Sequence, residues 1–223
     1  MTRRAAAPPP RGRPVVGALL LTGGSSRRMG RDKATMVVAG EPLATRLARV
    51  LGEVADLVVE VGPGRTGCTA TSELPPGAGP LAAVAAGRAA LLEHGLDAPA
   101  LVCACDLPAV GPALLELLAR WPGTGSVLPV VEGREQPLCA RWSREDLDAA
   151  GTLLGSGERS LRSVPSRDRA VLLGEDAWSA VATAADFVDL DTPEDLDAYD
   201  RARASRRRSE RLGPRDRRGP PRR

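Results

Sequence analysis

Short unbroken apolar runs alternate along the chain with longer stretches whose apolar residues recur at helical spacing. Residues 15–22, VVGALLLT, form one such run, ending on a Gly-Gly pair; this is the pattern of a strand buried on both faces that feeds a loop. Residues 42–52, PLATRLARVLG, open on proline and set Leu43, Leu47, Val50 and Leu51 on one face of a helix. The same patterning predicts a strand over 56–61 (DLVVEV), a helix over 79–95 with a glycine stop, a strand over 100–106 (ALVCACD) that ends on an acid, and a helix over 112–121. Strand and helix units repeated with short connectors predict an α/β fold built on a doubly wound, mainly parallel sheet. Ligands of such sheets lie beyond the carboxyl ends of the strands.

After residue 125 the pattern is less regular. SVLPVV (126–131) and QPLCARW (136–142) read as two strands, plausibly antiparallel, joined by the polar turn EGRE; REDLDAAGTLL reads as a helix. FVDLDTPEDLDAYDRA predicts a short strand, a turn and a helix with Thr192 as N-cap, Pro193 at its first position and Asp195 at its third, an acidic variant of the capping box. The chain shows no internal repeat.

The 223 residues suit one domain, spanning 14–202, and the near absence of aromatic residues (2 %) means an aliphatic core. The formal net charge of +3 is misleading: residues 1–13 contribute +4 and residues 201–223 contribute +9, which leaves −10 for residues 14–200. The flanking segments 1–13 and 203–223 are therefore expected to be disordered Pro/Arg-rich tails, and the acidic body argues against specific nucleic-acid binding. Four cysteines without a CxxC pair, and His94 as the sole histidine, make no zinc set and read as reduced thiols. No apolar run spans a membrane and no signal peptide opens the chain, which predicts a cytoplasmic protein.

Two strand ends carry candidate chemistry. In the segment TGGSSRRMGRDK, Gly23 and Gly24 let main-chain N–H groups approach a ligand, Ser25 and Ser26 add hydroxyls, and Arg27, Arg28, Arg31 and Lys33 add positive charge. That donor density suits a polyphosphate, although neither a P-loop nor a G-x-G-x-x-G is present. Lys33 is the only lysine in a chain whose other Lys/Arg positions are all arginine, which marks a site that needs a compact ammonium rather than a planar fork. Asp106, closing the strand over 100–106, is placed to hold Mg²⁺ beside that loop; the alternative is a helix N-cap for the segment after Pro108.

LTGGSSRRMGRDKA (21–34) resembles the signature L-A-G-G-x-S-x-R-M-G-x-D-K-A of molybdenum cofactor guanylyltransferases, and the resemblance runs on through GPLAAV (79–84), CACDLP (103–108), QPLCARW, GERSLR (157–162) and FVDLDTPEDL (187–196). It implies a Rossmann-like three-layer α/β/α sandwich and an enzyme that transfers GMP from GTP to molybdenum-molybdopterin, with release of pyrophosphate. The related cytidylyl enzymes, and transferases for another phosphorylated acceptor, are the alternatives. By the same resemblance Leu21, Thr22, Gly23, Gly24, Glu73, Gly79 and Pro80 line the nucleotide, Arg28 and Lys33 hold the triphosphate, and Asp106 binds both Mg²⁺ and nucleotide. It also implies transient contacts with proteins that make or receive the cofactor.

Three departures stand out. Thr22 replaces the usual alanine. Glu60 or Gly62 stands where the family has an asparagine at the end of its second strand. N-x-N-T-P appears as Asp189-Leu190-Asp191-Thr192-Pro193, which makes Asp191 a candidate second metal ligand, a change at the pterin end, or a solvated acid at a helix start.

Overall fold

The computed structural model describes residues 13–23, 33–38, 40–165, 169–190, 192, 194–197, 199 and 201. Its central sheet begins with β1 (Gly17–Leu21), whose five residues are all buried. Ala18 and Leu20 face one side and Leu19 and Leu21 the other, so an unbroken apolar run is what a strand covered on both faces requires. A hairpin of β2 (Val37–Val38) and β3 (Glu41–Pro42) leads into α1 (Leu43–Gly52), which buries Leu43, Leu47, Val50 and Leu51. β4 (Leu57–Val61) and β5 (Thr69–Thr71) follow, then α2 (Pro80–Glu93), β6 (Ala100–Ala104) and α3 (Pro112–Arg120).

In the last third of the chain come β7 (Val127–Val131), β8 (Arg134–Glu135), β9 (Cys139–Trp142), α4 (Arg144–Gly155), β10 (Val171–Leu173) and α5 (Glu175–Trp178). The strand order is β10-β7-β9-β6-β1-β4-β5, with β8 paired to β7. Pairs β1/β4, β1/β6, β4/β5 and β7/β10 are parallel; β9 runs antiparallel to both β6 and β7. One apolar layer joins α1, α3 and α5 to the sheet and a second joins α2 and α4 to its other face. The fold is a three-layer α/β/α sandwich with a mostly parallel sheet.

Helix contacts on the second face are close. A Cβ on Gly87 of α2 would lie 2.7 Å from Leu19 Cδ2 and 2.9 Å from Val61 Cγ2, so only glycine lets this helix seat on β1 and β4. Arg88, one residue on, is 5 % exposed; it links α2 to α4 by donating to Asp148 Oδ1 and to the connection before β6 by donating to Asp97 Oδ1, both at 2.7 Å.

Two expectations are corrected. The segments 126–131 and 136–142 do pair antiparallel, but the intervening turn forms β8 against β7, and β9 starts only at Cys139, because Pro137 has no N–H to give to a ladder. No strand forms at 187–190: residues Ala184–Phe187 make a 3₁₀ turn, and the Leu190 N–H goes to the Asp106 carbonyl at 2.9 Å rather than to a neighbouring strand. The predicted capping box is present, with Thr192 N donating to Asp195 Oδ2 and Asp195 N to Thr192 Oγ1, followed by helical residues 194–197.

Candidate active site

The chain leaves β4 and β5 on one side of β1 and returns with β6 on the other, so the sheet reverses its winding between β1 and β6, the place where sheets of this kind form their ligand crevice. Hydrogen bonds tie the walls together. Cys105 N donates to the Leu21 carbonyl at 3.0 Å, joining β6 to β1; Thr22 N and Gly23 N both donate to the Val61 carbonyl, at 3.0 and 3.1 Å, joining β1 to β4. Leu21, Thr22, Gly23 and the Asp106 turn therefore stand at one edge, as the sequence predicts.

On the β4 side the packing leaves no room. A Cβ on Gly62 (φ +155°) would sit 2.1 Å from Thr22 Oγ1 and 2.8 Å from Gly23 N, which restricts the position to glycine. Glu60 is fully buried beneath it, and its carboxylate accepts from Thr22 Oγ1 and Arg65 N on Oε1 and from Thr66 N and Thr66 Oγ1 on Oε2. All of its lone-pair directions are used, so Glu60 is not a base contact. The Thr22 hydroxyl, expected near the nucleotide, is turned inward to Glu60.

Glu73, 7 % exposed, faces Gly23: a Cβ there would lie 3.4 Å from its Oε1 and 3.5 Å from its Oε2. Gly77 N holds Oε1 at 3.0 Å. Gly79 (φ +99°) and Pro80 open α2, whose first turn has no side-chain cap and no acid among the described residues. Because α2 starts at the carboxyl-end edge, its first N–H groups sit on the same side as Thr22 and Asp106, where they favour anions.

Asp106, half-buried, follows β6 in a turn. It does not cap α3, which starts at Pro112 after Gly111, so the capping alternative is excluded. Its carbonyl receives the Leu190 N–H, and Tyr199 Oη donates to the Pro108 carbonyl at 3.1 Å; the C-terminal segment is thus fastened to the Asp106 turn. Leu190 also packs with Val38 and Leu43, against which Leu196 and Tyr199 lie. Lys33 begins a 3₁₀ turn, Lys33–Thr35, anchored by the buried Ala34. Gly24, Arg28, Asp191 and the Lys33 side chain lie outside the described residues.

Sequence reasoning did not find a cavity of about 210 Å³ lined by Leu128, Arg134, Glu135, Leu161, Arg162 and Pro165 at the carboxyl end of β7. Glu158 shapes the segment beside it, accepting from Arg159 N, Ser160 N and Ser163 Oγ; those bonds hold its carboxyl down at about 2. A larger cavity, about 450 Å³, opens among Val15, Pro99, Trp121 and Arg141 at the opposite edge of the sheet and contains none of the residues marked by the sequence.

Known proteins share the family and the fold. The model of the MobA-like NTP transferase domain matches residues 18–171. A probable molybdenum cofactor guanylyltransferase of Chloroflexus aggregans is 31 % identical over 195 residues, covering 82 % of this chain and 92 % of that one. A protein of the same description from Mycobacterium bovis is 37 % identical over 163 residues, 68 % of this chain and 79 % of that one. Among solved structures, molybdopterin-guanine dinucleotide biosynthesis protein A of Archaeoglobus fulgidus superposes with a TM-score of 0.68 at 21 % identity, covering 85 % of this chain and all of that one, a likeness of fold. With a family match over most of its length and relatives above 30 % identity over two thirds of it or more, the chain belongs to the MobA-like NTP transferases and is a nucleotidyltransferase.

Proposed function

We propose that this chain transfers GMP from GTP to the terminal phosphate of molybdenum-molybdopterin, forming the guanine dinucleotide cofactor. An oxygen of the acceptor phosphate attacks the α-phosphorus of GTP, a new P–O bond forms, the bond to the β-phosphate oxygen breaks, and pyrophosphate leaves. The observation that carries this is the buried Glu73 carboxylate directed at Gly23. Two acceptor oxygens at the head of the phosphate loop complement the N1–H and amino group of guanine. Cytosine offers no such pair of donors, and a buried acceptor left without its partner costs about 1–3 kcal/mol.

Chemistry at phosphorus needs alignment and charge neutralisation more than protein nucleophiles. Arg28 and Lys33 supply positive charge to the triphosphate, as the resemblance of segment 21–34 implies. Asp106, a hard oxygen donor on the turn that also receives Leu190, fits a magnesium ion, and would hold it with Asp191, next in the chain after Leu190, as the second ligand. The ion neutralises phosphate charge when bound. Arg134 and Arg162 in the 210 Å³ cavity take the acceptor, and their charge is suited to its phosphate. The activity is proposed to be cytoplasmic, with transient contacts to the proteins that deliver or receive the cofactor.

The test is kcat/KM for GTP and for CTP, with molybdopterin as acceptor and Mg²⁺ present. GTP is expected to be the better donor, with pyrophosphate released. A CTP value equal to or above that for GTP moves the chain to the cytidylyl branch.

A further inference from the structure

Among the buried groups, Glu60 is the one whose surroundings are out of proportion to its place in the sequence. It occupies an inward position of β4, alternating with Val59 and Val61, and it is fully buried. No lysine or arginine side chain pairs with it among the described residues. Instead two hydroxyls and two main-chain N–H groups converge on its oxygens: Thr22 Oγ1 at 2.8 Å and Arg65 N at 3.0 Å on one, Thr66 N at 2.8 Å and Thr66 Oγ1 at 2.7 Å on the other. Burial alone would raise the pKa of this carboxyl; the hydrogen bonds from Arg65, Thr66 and Thr22 together outweigh it and hold the group below the ordinary glutamate value. The ionised form is thus the one the site is built around.

The four donors belong to two loops. Thr22 is the first residue after β1, where the nucleotide loop begins, and Arg65 and Thr66 lie in the connection from β4 to β5. Gly62 packs against Thr22 between them. The Thr22–Gly23 segment is consequently held by three bonds to two partners, two to the Val61 carbonyl and one from the Thr22 hydroxyl to Glu60. Gly23 is also the residue faced by Glu73.

We propose that Glu60 is a positioning residue for the nucleotide pocket: a buried anion that touches no substrate, clamps Thr22 to the 62–66 loop, and thereby sets the distance between Gly23 and the base-reading Glu73. This rests on the assignment of the crevice as the donor site. Base recognition in this chain accordingly falls to Glu73, and the Thr22 hydroxyl and the Glu60 carboxylate act as one unit.

The test uses the full chain, with GTP and CTP dissociation constants measured by calorimetry, steady-state kcat and KM, and melting temperature. Thr22→Val and Glu60→Gln are each expected to raise the GTP dissociation constant and KM about tenfold while kcat changes less than about threefold. Thr22→Ser keeps the hydroxyl and is expected to bind GTP like the parent chain. The double variant Thr22→Val/Glu60→Gln is expected to be no weaker than the worse single one, as two halves of one interaction require. If Glu60→Gln fails to fold, the comparison of Thr22→Val with Thr22→Ser still reads the clamp. Folded Thr22→Val with parental GTP affinity overturns the proposal, as does a loss confined to kcat. A parent chain that binds neither GTP nor CTP removes the donor-site assignment and the clamp with it; a parent that binds GTP beside unchanged variants removes the clamp alone.

Discussion

Under the proposed function, Lys33 and Asp106 are the residues on which turnover should depend most, one as a compact cation for the triphosphate and the other as a carboxylate after β6. Lys33→Ala and Asp106→Asn are each expected to lower kcat at least about a hundredfold, the scale of losing a charge aimed at a transition state, with the melting temperature preserved. Lys33→Arg is expected to be impaired as well, since a guanidinium is broader and directed differently; parental turnover in that variant would contradict the reason given for the chain's single lysine. A second residue-scale expectation concerns Glu158. Its carboxyl is held at about 2 by the Ser160 N–H, the Ser163 hydroxyl and the Arg159 N–H. A lowered folded pKa means that its contribution to stability is complete above the ordinary value of 4.5 and is lost as pH falls from there toward about 2. A carboxyl-carbon NMR titration checks it: a Glu158 midpoint near the ordinary value would show that the three bonds do not hold the 158–163 turn in solution.

At the scale of elements, the contact between α2 and the sheet governs whether the crevice keeps its shape, because α2 begins at the site and runs back across β1 and β4. Gly87→Ala gains helix propensity worth about 1 kcal/mol, but the added methyl meets Leu19 and Val61 at 2.7–2.9 Å. Overpacking of that kind costs about 1–3 kcal/mol, so the net effect is expected to be destabilising. Gly151 of α4 is the matched control: it is exposed and a Cβ there meets nothing within 4 Å, so Gly151→Ala is expected to stabilise by about 0.5–1 kcal/mol. Urea denaturation of both variants measures the contrast. Equal effects would mean that α2 shifts freely over the sheet.

For the whole molecule, the division is between an acidic body and arginine-rich ends. Deleting residues 204–223 is expected to leave nucleotidyl transfer nearly unchanged, because Ala204 and Leu212 are its only non-proline apolar residues, too few with which to dock. Deleting everything after Val188 is expected to abolish it, since Leu190, Leu196 and Tyr199 fasten the C-terminal segment to the β2–β3 hairpin, α1 and the Asp106 turn. Turnover and melting temperature of the two truncated chains check both statements. A large loss of turnover in the shorter deletion, with its melting temperature intact, would give the tail a part in the site.

The sequence by itself determined the order of the main strands and helices and the parallel centre of the sheet, and it marked the two strand ends proposed as the site. Each of these is written locally, as an apolar run, a helical spacing, a Gly-Gly pair or an acid after a strand. It did not disclose β5 and β10, three residues each, which are too short for a period to show. Nor did it place β9 between β6 and β7, a choice made by pairing across the sheet. The contacts that shape the site are of the same kind. Thr22 meets Glu60 across 38 positions, Glu73 turns toward Gly23, and Leu190 binds the Asp106 carbonyl. The one trace of the first contact was a lone acid inside the apolar run DLVVEV, and its meaning, a clamp rather than a base contact, depended on which donors the fold brought to it. A hydrogen bond between distant residues leaves no periodicity in the chain, so only the tertiary structure decided these.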